Sequence, residues 1–199
     1  MRGAHPSHDA EVLHFFETST RHILEAAANA GVGHLVLLSV VGSERLSGSG
    51  YMRAKVAQER LVKASSVPFS IVHATQFFEF LPRIANDATE EGTVRLPAAL
   101  IQPMAADEVA STMSAVALGA PVNGTIEVAG PEQFRFEEIV RRDLIARGDQ
   151  RTVVADPHAR YFGAELDEHS LVPGDGAQLS TPRYEDWFAR SSAGRAVSR

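Results

Sequence analysis

"HLVLLSVVGSERLSGSGYMRAK", residues 34–55, joins a continuous apolar run to a loop of small and polar residues, and then sets a tyrosine four positions before a lysine. The run is short and rich in branched side chains, which suits a strand buried on both faces. Upstream, Val12, Phe16, Ile23, Leu24 and Ala27 keep helical spacing opposite Glu17, Arg21 and Glu25, so a helix is predicted over residues 9–30, stopped by Gly31. A second helix is predicted over 51–64. Beyond it the pattern alternates: "FSIVHA" reads as a buried strand, "TVRLP" and "LIQPMA" as shorter ones, "AADEVASTMSAVALG" as a helix, "GTIEVAG" as a strand, "FRFEEIVRRDLIARG" as a helix and "RTVVAD" as a last strand. Such alternation builds right-handed βαβ units around a mainly parallel sheet. The fold class is therefore α/β, doubly wound and partly Rossmann-like, with a body over residues 1–156 and a small extension over 157–199. In that extension "GAELDEHSLVPGDGAQLSTP" reads as an extended surface segment. "PRYEDWFAR" reads as a closing helix docked through Trp187 and Phe188, and the last nine residues are expected to fray.

Composition narrows the function. The chain has 199 residues, 44% of them hydrophobic and 22% charged, with a formal net charge of −6. These are the proportions of an ordinary globular protein. No stripe of Lys and Arg could neutralise successive phosphates, so nucleic acid is not an expected partner. The absence of cysteine removes disulfides, thiolate metal sites and a thiol nucleophile. No apolar run reaches the roughly 18 residues needed to span a bilayer, and the N-terminus has no apolar signal core, so a cytoplasmic location is the default. His5, His8, His14 and His22 cluster near the N-terminus without a supporting carboxylate, and read as helix-face residues; no metal site is expected.

Tyr51 and Lys55 fall side by side on the second helix, in a stripe with Gln58 and Val62. A nearby ammonium favours phenolate and would pull the tyrosine below its unperturbed pKa of about 10, allowing proton exchange with a substrate oxygen. Ser39 ends the apolar run twelve residues before Tyr51. Ligands of open parallel sheets bind beyond the carboxyl ends of the strands, which puts that hydroxyl on the functional side.

With a strand-end serine and a Tyr-x-x-x-Lys pair, the chain resembles the short-chain dehydrogenase/reductase superfamily. "FSIVHATQFFEF", "IQPMAADEVASTMSAVAL" and "GTIEVAGPEQFRFEEIVRR" are similar to segments of its atypical, NmrA-like branch, and the similarity runs from about Asp9 to Asp156. The resemblance implies that Ser39 holds a substrate carbonyl or alcohol, Tyr51 is the acid–base, and Lys55 holds the nicotinamide ribose and depresses the tyrosine pKa. It also implies that Ala74, Thr75 and Gln76 belong to the cofactor loop. His73 stands where many relatives carry arginine. Phe77, Phe78 and Phe80 read as core packing rather than a substrate wall.

One part of the family pattern is missing. A dinucleotide-binding half opens with a strand and a glycine-rich turn at a helix N-terminus. "GVGHLVLLS" precedes its strand, and the glycines at 48 and 50 lack a third and a strand immediately before them. The resemblance thus implies a chain that starts near the fourth strand of the family's sheet, with about three βα units absent. NAD(P) binding by this chain alone is expected to be weak or absent. The first strand is expected to carry an open edge, a route to a homo-oligomer. The remaining candidates have structural explanations: Asp107 and Glu108 suit a helix N-terminus, Asp156, His158, Arg160 and Tyr161 suit a turn, and Ser39 lacks the glycine elbow of a serine hydrolase. Three functions stay open: an NAD(P)-dependent oxidoreductase acting on a small carbonyl or alcohol and impaired by its missing front, a non-catalytic dinucleotide-sensing regulator, and an inactive fragment.

Overall fold

The computed structural model describes residues 6–197. In chain order the elements are α1 (Pro6–Asn29), β1 (Leu35–Val40), α2 (Gly50–Ala64), β2 (Phe69–Ala74), α3 (Leu81–Asp87), β3 (Thr89–Glu90), β4 (Thr93–Leu96), β5 (Leu100–Ile101), α4 (Ala106–Leu118), β6 (Gly124–Ala129), β7 (Phe134–Arg135), α5 (Phe136–Ala146), β8 (Thr152–Ala155), β9 (Gln178–Leu179) and α6 (Tyr184–Val197). His5 lies outside the described residues.

The main sheet has the order β1-β2-β6-β9, and every pairing in it is parallel. Alternation along each strand sends Leu35, Leu37 and Ile71 to one face, where Leu24 of α1 and Val62 of α2 cover them. It sends Val36, Leu38, Val72 and Val128 to the other, against Val109, Met113 and Val116 of α4. The sheet is thus doubly wound, a Rossmann-like α/β arrangement. "TVRLP" and "RTVVAD" differ from the expectation of one sheet: β4 and β8 pair in parallel with each other, and β3 joins them, in a separate three-stranded sheet. Strand periodicity records burial, not which partner supplies it.

The largest core joins the body of the chain to its C-terminal extension. Phe78, Leu81, Phe136 and Ile139 pack with Tyr161, Leu171, Tyr184 and Trp187, all buried. The stretch read as an extended surface segment is therefore pinned at Leu171, which bridges to Ile101. Ala164 and the run Ser170, Leu171 and Val172 are its buried points, and so sparse a set makes no periodic signal. α6 docks as expected through its aromatic face, with Trp187 Nε1 donating to Glu79 at 3.0 Å and the Tyr184 hydroxyl donating to buried Asp143 at 2.9 Å. It stays helical to Val197, through most of the stretch expected to fray.

β1 is the edge of its sheet among the described residues. Leu35 N donates to Pro68 O and Val41 N to Ala74 O. Because a parallel strand turns alternate residues to opposite sides, Val36, Leu38 and Val40 direct their backbone groups to the open side. That edge is guarded by Lys55.

Candidate active site

Helix α2 begins where Ser49 accepts from Met52 N at 3.4 Å, an N-cap that satisfies one of the free amides of the first turn. The cap sets the helix so that Met52, Ala54, Lys55, Glu59 and Val62 face inward. Tyr51, one residue into the first turn, is left 38% exposed. Its ring meets Phe16 of α1 edge-on and lies at a tilt to Phe162.

The three expected catalytic groups have separate partners. Ser39 is buried, and its hydroxyl donates to Glu59 Oε1 at 2.5 Å. Lys55 Nζ donates to the outward-facing Leu38 O at 2.8 Å and to Gln58 Oε1 at 2.6 Å, and sits 5.5 Å from the Phe16 ring centre. No hydrogen bond joins Ser39, Tyr51 and Lys55 to one another among the described residues. The expected electrostatics are also corrected. Burial pushes the Tyr51 phenol above its ordinary value, the opposite direction from an ammonium-stabilised phenolate. Burial likewise lowers Lys55 to about 8, against a partial opposing pull from Glu59.

Ser39 instead belongs to a node that the sequence reading missed. Glu59, 1% exposed, accepts from Ser39, from His73 Nε2 at 2.9 Å and from Lys63 at 3.3 Å. Burial alone would raise its carboxyl; the hydrogen bonds from His73, Ser39 and Lys63 outweigh that and hold it at about 2. An ionised carboxylate only accepts, so His73 carries its proton on Nε2. Ser39 and His73 are register partners on adjacent strands, and Glu127 follows His73 on the next. The signal was present: Ser39 and His73 are each the fifth residue of a six-residue strand, and Glu59 lies two helical steps from Tyr51 through Lys55. A cleft of about 320 Å³ opens beside this row, lined by Ser43, Arg45, Lys63, His73, Thr125 and Glu127. Neither Tyr51 nor Lys55 borders it.

The expected cofactor loop leaves β2 at its carboxyl end. Ala74 is buried in the core on the α4 side. Thr75 is engaged, donating to Gln102 O at 2.6 Å. Gln76 differs from both: it is 6% exposed, and both its amide nitrogen and its amide oxygen are buried with no protein partner. A buried amide with neither end satisfied is destabilised by about 1–3 kcal/mol, which a ligand offering a donor and an acceptor would relieve. A nicotinamide carboxamide has that pair, so the hydrogen-bonding chemistry of Gln76 matches that end of NAD(P). For the pyrophosphate end, the two glycines before α2 leave no open cradle among the described residues: a Cβ placed on Gly48 would touch Ala164, and one on Gly50 would run into the Asp9 carboxylate.

Other candidates resolve structurally. Asp107 and Glu108 lie in the first turn of α4, and Asp156 caps its own turn by accepting from His158 N at 2.8 Å. Tyr161 is in the core. Phe78 is fully buried as read, whereas Phe80 is 51% exposed and stacks on Phe77. No group of three or more acidic or histidine side chains among the described residues could hold a metal ion, and no helix among them is long and apolar enough to cross a membrane.

The backbone after residue 160 has one unfavourable feature. Phe162 has φ 49° and Gly163 φ 88°, a left-handed pair that costs a bulky residue about 1–3 kcal/mol.

The fold and the carboxyl-end site define a Rossmann-like α/β protein, and solved structures agree. The chain superposes on the dTDP-glucose 4,6-dehydratase DesIV of Streptomyces venezuelae, solved with NAD bound, with a TM-score of 0.63 and 15% identity over 98% of this chain and 73% of that one. The Bordetella bronchiseptica enzyme WbmG, in complex with NAD and UDP, gives 0.65 at 15% identity over 96% and 69%. An NADPH-dependent quinone oxidoreductase of Escherichia coli gives 0.63 at 15% identity over 87% and 72%. At such identities the likeness is one of fold. No protein-family model matches the sequence, and no curated protein matches it.

Proposed function

We propose that the chain is an NAD(P)-dependent oxidoreductase of the short-chain dehydrogenase/reductase type, in its NmrA-like branch, acting on a small carbonyl or alcohol. The observation that carries this reading is the unsatisfied carboxamide of Gln76 at the carboxyl end of a buried parallel strand. Nicotinamide-using enzymes of the same fold support it. Gln76 would hold the nicotinamide end of the cofactor, whose chemistry when bound would be hydride donation to a carbonyl carbon. Tyr51 gives its phenolic proton to the carbonyl oxygen, and solvent restores it. Burial raises that phenol further above neutral pH, so it is present as the protonated form a proton donor needs. Lys55 would hold the ribose only by exchanging its bonds to Leu38 and Gln58. A need for its ammonium would make the rate fall above pH 8, near the value to which burial lowers it. Ser39 holds Glu59 rather than substrate.

Tyr51→Phe is expected to reduce NADPH-dependent carbonyl reduction at least about a hundredfold with unchanged circular dichroism; turnover within threefold of wild type would remove Tyr51 as the proton donor. Gln76→Leu is expected to raise the unfolding temperature of the ligand-free protein, because a buried unpaired amide is gone, while weakening NADPH binding in calorimetry about tenfold. Lower stability together with unaltered binding would show that Gln76 serves packing only. A second reading, a dinucleotide sensor without turnover, is favoured by the engagement of both Ser39 and Lys55. It predicts NADPH binding that depends on Gln76 with no reduction of any carbonyl by wild type.

A further inference from the structure

Tyr51 is one link in a line of rings. Phe15 meets Phe16 at 5.9 Å and 80°, Phe16 meets Tyr51 at 6.1 Å and 86°, and Tyr51 meets Phe162 at 5.8 Å and 31°. Phe15, Tyr51 and Phe162 are 67%, 38% and 43% exposed. Phe16 links Phe15 to Tyr51, so these solvent-open rings belong to one connected aromatic line.

The backbone singles out Phe162. Tyr161 and Ala164 exchange both backbone hydrogen bonds, at 2.9 and 3.0 Å, around two residues of positive φ. This is a two-residue turn of the I′ kind, in which asparagine followed by glycine is the favoured pair. Gly163 fits it and Phe162 does not. The phenylalanine ring is nevertheless fixed in place: buried Tyr161 meets it edge-on at 4.7 Å and is itself packed on Phe136. The turn also touches the loop entering α2, since a Cβ placed on Gly48 would lie 3.5 Å from Ala164 Cα. The unfavourable conformation therefore holds a half-exposed ring at a shallow tilt to Tyr51, where a polar residue would suit the backbone better.

We propose that Phe16, Tyr51 and Phe162 form a recognition wall for a planar aromatic carbonyl compound, whose ring lies against the Tyr51–Phe162 side and whose oxygen accepts from the Tyr51 hydroxyl. The inference rests on the reading of Tyr51 as proton donor and names the substrate class of that site. An aliphatic carbonyl compound has no flat π face to offer. Offset and edge-on ring contacts favour an aryl ligand over its saturated counterpart by about tenfold.

The test is calorimetric titration of the full chain, without cofactor, by acetophenone and by cyclohexyl methyl ketone, which differ only in whether the ring is aromatic. Acetophenone is expected to bind about tenfold tighter. Phe162→Asn is expected to abolish that preference without lowering the unfolding temperature, because asparagine suits the turn. No difference between the two ketones, or a preference that survives Phe162→Asn, overturns the proposal. So does a fall in unfolding temperature on Phe162→Asn, which would make the ring a packing element. Nicotinamide is the third ligand: tighter binding than acetophenone, lost in Phe162→Asn, would assign the wall to the cofactor ring and overturn the substrate class. Tyr51→Phe separates the two readings. Loss of NADPH-dependent reduction with the aryl preference retained supports both; unaltered reduction with that preference retained overturns the hydroxyl's role and with it the proton-donor reading.

Discussion

Glu59→Ala is expected to destabilise the protein by about 2–5 kcal/mol, because it leaves the buried Ser39 hydroxyl and His73 ring N–H without their acceptor and takes the ion-pair partner from half-exposed Lys63. The Ser39 hydroxyl and His73 Nε2 both end on Glu59 Oε1, and Lys63 on Oε2. The Ser39 hydroxyl is buried between α2 and the sheet, and His73 meets solvent only where it lines the cleft. For a chain of this length the loss corresponds to roughly 10 °C in unfolding temperature. Glu59→Gln keeps the shape and one acceptor and is expected to fall between. The same node fixes the acid limb of stability. The folded carboxyl lies near 2 against an ordinary 4.5. The folded state therefore binds fewer protons than the unfolded one between those values. Its contribution, about 3 kcal/mol, is fully present above pH 4.5 and is lost as pH falls towards 2. Urea unfolding at pH 7 and at pH 3 should show a steeper loss for wild type than for Glu59→Gln. Equal slopes, or an alanine variant within 1 kcal/mol of wild type at pH 7, would show that the node is not stabilising.

Phe78→Ala is the second large effect. The ring is fully buried, 5.5 Å from that of Tyr184 and 5.1 Å from that of Trp187. Truncation removes the transfer energy of the ring and leaves a cavity, together about 3–5 kcal/mol. The damage falls on the seat of α6, so the emission of Trp187, the single tryptophan of the chain, should move to longer wavelength in native buffer. Because residues 157–199 share this core with the body, wild type should unfold in one transition by tryptophan emission and by circular dichroism alike. Two separated transitions would show that the extension folds on its own.

Much of the local structure was legible in the chain. "FSIVHA" is β2 residue for residue, and the helices predicted over 9–30 and 51–64 are α1 and α2 to within a few residues. Periodicity works there because those elements bury one side, or both, against fixed layers. It did not reveal α3, seven residues long, nor the separate pairing of β4 with β8. The site was legible only as a set of residue types. Tyr51 and Lys55 share a helical stripe, yet the sequence could not show that the ammonium would turn to the outward carbonyl of Leu38. That choice depends on β1 being an edge with an unsatisfied acceptor, a property of the sheet and not of the helix.

By itself, the sequence determined the parallel alternation of strand and helix, the place of Ser39 at the end of an apolar run and the helical stripe that sets Tyr51 beside Lys55, because each is written in neighbours a few positions apart. Only the tertiary structure decided that Ser39 and His73 close on Glu59, that Gln76 is buried with nothing to bond, and that Phe162 stands in a left-handed turn against Tyr51. These depend on strand register and loop return across 14 to more than 100 residues, distances over which the sequence carries no period, and so only packing settles which groups meet.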